Sequence, residues 1–97
     1  MSASLSTHVL DTGQGRPASG VRVGLSKANE QIAAGMTDAD GRIDELAVEL
    51  EPGTYTLAFH PPSPFFRRVE LEIVLEDGHY HVPLLVSPFS CASYRGS

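Results

Sequence analysis

The stretch VELEIVLE, residues 69–76, alternates apolar and acidic side chains almost without a break. Successive side chains of a strand point to opposite faces. Val69, Leu71, Ile73 and Leu75 therefore form an apolar face, while Glu70, Glu72 and Glu76 face water. Working outward, the same period recurs, and turn signals return about every ten residues. LSTHVLD (5–11) sets Leu5, Thr7 and Val9 against Ser6, His8 and Leu10. VRVGL (21–25) sets Val21, Val23 and Leu25 against Arg22 and Gly24, and LAVEL (46–50) sets Leu46, Val48 and Leu50 against Ala47 and Glu49. YTLAF (55–59) groups Tyr55, Leu57 and Phe59; HYHVPLLV (79–86) puts Tyr80, Val82, Leu84 and Val86 on the core side. IAAGMT (32–37) reads as a short, weakly amphipathic strand and FSCASY (89–94) as the last one.

Between these runs lie DTGQGRPASG (11–20), DADG (38–41), EPGT (51–54), HPPSP (60–64) and EDGH (76–79). Each is rich in residues that tight reversals require, and the prolines of HPPSP can donate nothing to a ladder. Helical character is confined to Lys27–Ala34, where Asn29 and the following Gly35 weaken it. The expectation is an all-β chain: one domain over residues 1–97, a two-sheet antiparallel β-sandwich of seven or eight strands.

Composition narrows the function classes. The chain has 97 residues, 41% hydrophobic and 20% charged, which is globular composition. The net charge is −5 and the seven cationic residues are scattered, so neither nucleic acid nor an anionic membrane is an expected partner. No run approaches the ~20 apolar residues of a membrane-spanning helix. Cys91, the single cysteine, has no intrachain partner, and MSASLSTHVLD lacks the regions of a secretory signal; a cytoplasmic location is expected, with periplasm and peroxisome as the alternatives.

Chemistry-bearing residues gather on faces turned away from the expected core. His79 and His81 share a strand face with Pro83 and Leu85, and His8 lies opposite Val9. A face holding histidine, proline and leucine suggests cover by another subunit or a ligand. Read singly, each signal is plain: a strand histidine is most often hydrogen-bonded surface, and Asp40-Gly41-Arg42 is a turn with a charged exit. Three nitrogens from His79, His81 and either His8 or His60 could in principle bind zinc or iron. No carboxylate or cysteine stands at a recognisable ligand spacing, so no metal site is assigned. A G-x-S-x-G elbow is absent, and Lys27, the only lysine, sits in a turn-like context unsuited to Schiff-base chemistry.

Three blocks taken together are more specific: LSTHVLDTGQGRPASGV (5–21), TDADGR (37–42) and HYHVPLLVSPFSCASYRGS (79–97). In order and position they resemble the transthyretin-like 5-hydroxyisourate hydrolases, which carry Tyr-Arg-Gly-Ser as a terminal hallmark. The resemblance implies a transthyretin-like sandwich whose first and last two strands are neighbours in one sheet. It implies His8, His81 and Arg42 as catalytic residues and Tyr94, Arg95, Gly96 and Ser97 as substrate-binding residues. It also implies a homotetramer, a dimer of dimers with sites in a channel between dimers, and no metal or organic cofactor. By resemblance the substrate is 5-hydroxyisourate and the product 2-oxo-4-hydroxy-4-carboxy-5-ureidoimidazoline, in urate breakdown. Imidazole suits proton transfer from water near neutral pH, and arginine offers fixed donors to a developing oxyanion.

Two departures stand out. HPPSP replaces a longer, helix-bearing segment, so that helix is expected to be missing; Cys91-Ala92 replaces a larger or more polar pair near the tail. The stretch from Val21 to Phe59 also resembles accessory β-sandwich modules beside carboxypeptidases, which lack the histidine strand and the terminal tetrapeptide. A ligand carrier like transthyretin itself is the other alternative, and His8, Arg42 and His81 speak against it.

Overall fold

The computed structural model describes residues 1–96. Among them there are nine strands and no helix: β1 (Ala3–Asp11), β2 (Arg16–Pro17), β3 (Arg22–Lys27), β4 (Glu30–Met36), β5 (Arg42–Leu50), β6 (Gly53–His60), β7 (Val69–Leu75), β8 (Gly78–Ser87) and β9 (Ser90–Ser93). One sheet runs β2-β1-β8-β9, with β5 also paired to β1; the other runs β4-β3-β6-β7. The expected missing helix is indeed missing. Ser63 organises the short connection instead: its Oγ accepts from the N–H groups of Phe65 (3.1 Å) and Phe66 (2.9 Å) and donates to the Pro88 carbonyl (3.1 Å).

The core lies between the sheets, where Leu5, Val9, Leu25, Leu57, Phe59 and Leu84 are fully buried. Burying each such side chain contributes about 1.5–3 kcal/mol, which fixes which face of every strand looks inward. β7 keeps the expected alternation, with Leu75 buried and Glu70 and Glu72 exposed. The β3–β4 hairpin turns on Ala28 and Asn29 at φ of 51° and 66°, the left-handed pair a two-residue turn demands. That reversal replaces the helical character read over Lys27–Ala34.

One expected face is corrected. Leu46 and Leu50 are buried, but Val48 is 48% exposed. Ala3 pairs with Leu50 and Leu5 with Ala47, so β5 spends one more residue than β1, and Glu49 adopts φ 53°. Such a bulge reverses the alternation for the residues it encloses.

All strand pairs are antiparallel except β1 with β8, which is parallel and in unbroken register from Ala3↔Gly78 to Asp11↔Val86. Strands from opposite ends of a chain need no hairpin, so either direction is open to them. β1 is thus interior to its sheet, with β8 on one side and β5, then β2, on the other.

The TDADGR block is a compact platform against β1. Asp38 Oδ1 accepts from the N–H groups of Asp40 and Arg42, both at 2.9 Å, and the Asp38 carbonyl accepts from Gly41 at 2.9 Å. The Gly41 carbonyl in turn accepts from Val9 N–H at 2.7 Å. Gly41 has φ 75°, and a Cβ there would stand 2.5 Å from the Val9 carbonyl oxygen. Gly41→Ala should therefore destabilise the protein by about 2–4 kcal/mol, from the left-handed backbone plus the clash. Urea denaturation measures this; a loss under about 1 kcal/mol would mean the platform is pliable.

Candidate active site

The outward face of the first sheet gathers the sequence-predicted residues. β1 alternates Leu5, Thr7 and Val9 inward with Ser4, Ser6, His8 and Leu10 outward, and the parallel register sets Ser4 beside His79 and Ser6 beside His81. On the other flank His8 pairs with Arg42 across β1 and β5. Directly opposed side chains start roughly 5 Å apart at Cβ, so imidazole and guanidinium are neighbours by construction. His8 Nε2–H donates to the Asp40 carbonyl at 2.9 Å, leaving Nδ1 as the unprotonated nitrogen of the neutral ring. The turn that presents Arg42 thus also fixes the tautomer of His8.

His81 is half-buried, with Nδ1 hydrogen-bonded to Ser6 Oγ at 2.8 Å. Its pKa lies below the ordinary 6.5, first because burial disfavours the charged ring, then through electrostatic repulsion from its neighbours His8, Arg42 and His79. Asp44, two residues beyond Arg42, pulls the other way. The balance leaves His81 neutral near pH 7, with a lone pair available.

The tail reaches this ring. Gly96 N–H donates to the His81 carbonyl at 2.6 Å, in a bridge that continues the β8–β9 register set by Leu84↔Ser93. A Cβ on Gly96 would stand 2.7 Å from His81 Cδ2, so the glycine lets the terminus lie against the imidazole. By that register Tyr94 falls opposite Pro83, on the histidine side, and is 58% exposed. Arg95 falls on the other side. Its guanidinium carbon sits 4.2 Å from the centroid of the Tyr80 ring, beside an apolar crevice of about 340 Å³ that is bordered by Leu71, Ile73 and Val82 and also by Tyr94. Arg95, read from sequence with the substrate-binding residues, is thereby directed away from His8 and His81 within this chain. Ser97, the last of that group, lies outside the described residues.

Other expectations are refined as well. His60 ends β6 in the opposite sheet, so it does not join the other histidines. Cys91 packs against the core, and burial raises its pKa, which keeps the thiol protonated; only Ala92, paired with Leu85, borders the outward face. Pro83 is already buried, its carbonyl accepting from Ser93 Oγ at 2.8 Å, while Leu10 and Leu85 stay half-buried. The larger hollow, about 540 Å³ and lined by Arg22, Gln31, His60 and Arg68, is on the other sheet and touches none of these groups. Sequence reading missed Ser4, Ser6 and Asp44. The alternation S-x-S-x-H of β1 was the available signal, but only the strand pairing tells which histidines the serines meet.

Residues 5–96 match the HIUase/Transthyretin family. This chain belongs to that family. It is 41% identical to a 5-hydroxyisourate hydrolase of Deinococcus radiodurans over 113 aligned positions, covering 96% of this chain and 95% of the relative. The structure is similar to that of Klebsiella pneumoniae 5-hydroxyisourate hydrolase, with a TM-score of 0.91 at 36% identity over 98% of this chain and 99% of the other. It is also similar to transthyretin from Sparus aurata, with a TM-score of 0.83 at 31% identity over 95% of each chain. The alignment of 113 positions exceeds the 97 residues of this family member, so the Deinococcus relative carries residues that it lacks.

Replacing Arg42 with glutamine removes one positive charge from beside His81, so the His81 pKa should rise toward 6.5. Proton NMR titration of the ring reads this directly; an unmoved or lowered value would remove Arg42 from its surroundings.

Proposed function

We propose that this protein hydrolyses 5-hydroxyisourate to 2-oxo-4-hydroxy-4-carboxy-5-ureidoimidazoline in urate breakdown. The observation that carries the reading is the convergence of His8, Arg42 and His81 on one face, with the tail glycine against the His81 ring. The relatives named 5-hydroxyisourate hydrolase support it. A carrier of apolar ligands has no use for two hydrogen-bonded imidazoles beside a guanidinium.

In this reading His81 is the general base. It is neutral near pH 7, and no described residue hydrogen-bonds its Nε2. Nε2 takes a proton from water as the water oxygen attacks a lactam carbonyl of the six-membered ring. Arg42 stabilises the oxyanion, a contribution of about 2.7–4 kcal/mol for a well-aimed donor. The carbon–nitrogen bond then breaks, and the imidazolium returns the proton to the departing nitrogen. His8, anchored on the Asp40 carbonyl, orients the heterocycle through Nδ1. Tyr94 borders the substrate and Ser97 keeps the substrate-binding role that the resemblance implies, whereas Arg95 grips Tyr80 and so holds the tail in place. No metal or organic cofactor enters this scheme.

The chain acts as one transthyretin-like domain and assembles as a tetramer, a dimer of dimers, in the cytoplasm. Two outward faces meeting across a channel bury Leu10 and Leu85 and close a site that is open on one chain.

The test generates 5-hydroxyisourate from urate in situ and follows its ultraviolet decay with and without the protein. Acceleration is expected, and His81→Ala should reduce it about a hundredfold or more while leaving the assembly intact in sedimentation. A decay that the folded wild-type protein leaves unaccelerated would refute the reading. The pH profile follows from the lowered His81 pKa. Activity should persist below pH 6.5, since the ring stays neutral there, and fall only as pH drops through that lowered value. Gly96→Ala pushes a methyl into the His81 ring, so it should cut the rate at least tenfold with folding stability nearly unchanged. A wild-type rate would show that the ring can yield.

A further inference from the structure

Two serines and a second histidine complete a hydrogen-bonded line that leads away from His81. His81 Nδ1 meets Ser6 Oγ at 2.8 Å, Ser6 Oγ meets His79 Nε2 at 2.9 Å, and His79 Nδ1 meets Ser4 Oγ at 2.7 Å. Ser6 is 7% exposed, so its hydroxyl has little access to water and these imidazoles are its partners. A hydroxyl carries one proton, so Ser6 donates to one imidazole and accepts from the other.

Two directions satisfy the line. In one, Ser4 donates to His79, His79 to Ser6 and Ser6 to His81 Nδ1, which puts the proton of neutral His81 on Nε2 and removes its outward lone pair. In the other, His81 Nδ1–H donates to Ser6, Ser6 to His79 Nε2, and His79 Nδ1–H to Ser4. The second direction leaves His81 Nε2 able to accept a proton. It is also the only one compatible with the imidazolium that follows, whose Nδ1–H must donate to Ser6. A site that starts in this direction needs no rearrangement of the line when the proton arrives.

We propose that Ser6 and His79 are positioning residues that hold His81 as its Nδ1–H tautomer, with Ser4 ending the line at the start of β1. The proposal rests on the reading of His81 as general base. It assigns His79 no contact with substrate; its work is to accept the Ser6 hydroxyl proton and so keep that proton off His81 Nδ1. The groups facing His81 are His8 on β1, Arg42 and Asp44 on β5, and His79 on β8, and none of these but His79 reaches Ser6.

The experiment uses the full chain with ¹⁵N-labelled histidine, above the pH at which His81 titrates. Nitrogen NMR should find the His81 proton on Nδ1 in the wild type. In His79→Phe, Ser6 loses its acceptor and turns its proton to His81, so the His81 proton should move toward Nε2. Ser6→Ala should move it the same way, and His79→Gln, whose amide oxygen can accept from Ser6, should restore it. His79 is exposed, so the variants at that position should fold. In the decay assay, kcat of His79→Phe should fall about tenfold with KM within about twofold, and His79→Gln should recover most of it. A wild-type proton on Nε2, a tautomer unmoved in both disruptive variants, or a kcat untouched by a moved tautomer would each overturn the proposal. If the tautomers behave as expected but the wild type does not accelerate decay of 5-hydroxyisourate, the functional reading falls and the hydrogen-bonded line stands without it.

Discussion

The parallel register between β1 and β8 governs every contact on the outward face. It joins strands from the two ends of the chain and pairs Ser4 with His79, Ser6 with His81 and Thr7 with Val82. Its security comes from the other face of the same strands, where Leu5, Val9, Leu84 and Val86 are buried. A slip of one residue would carry those side chains into water and the histidines into the core. Thr7 adds a polar lock, donating to the Val82 carbonyl at 2.6 Å in a buried position. The apolar face thus determines the register, and the register determines the chemistry.

The second constraint is the tight approach of the Asp38–Arg42 turn to β1. One short platform supplies the Asp40 carbonyl that orients His8, the Gly41 contact that brings the turn close, and the start of the strand that carries Arg42. Partial burial of His81 disfavours charge on its ring, and the nearby Arg42 guanidinium acts in the same sense. A neutral imidazole is what proton abstraction from water requires, so under the proposed function the arrangement that disfavours charge on the His81 ring also makes it usable. Asp44 moderates that effect without cancelling it.

The tail illustrates how alternation divides one short peptide between two tasks. Because Gly96 bridges to His81 in step with β9, Tyr94 and Gly96 fall to the histidine side and Arg95 to the other. Arg95 stacks on Tyr80, whose hydroxyl accepts from Glu76 N–H at 3.0 Å, and so anchors the terminus on a ring that is itself held. A cation over an aromatic face at an exposed site contributes about 0.5–1 kcal/mol, enough to bias a chain end toward one position.

Much of this was legible before any coordinates. The period of two in VELEIVLE, LSTHVLD and HYHVPLLV determined the strands and their inward faces, because burial of apolar side chains on a pleated ribbon admits one assignment. The family blocks singled out His8, Arg42, His81 and the tail. LAVEL misled at Val48 because a bulge depends on how many residues the partner strand offers, which no single segment reveals. The parallel pairing, the serine–histidine line and the diversion of Arg95 are in the same position. Each is a relation between segments 75 residues apart in sequence or across a strand pair, as Ser6 to His81 and Ser4 to His79 demonstrate. A strand's own pattern says which side chains point outward. Only the packed sheet decides whom they meet, because register is a property of two strands and is set where their buried faces interlock.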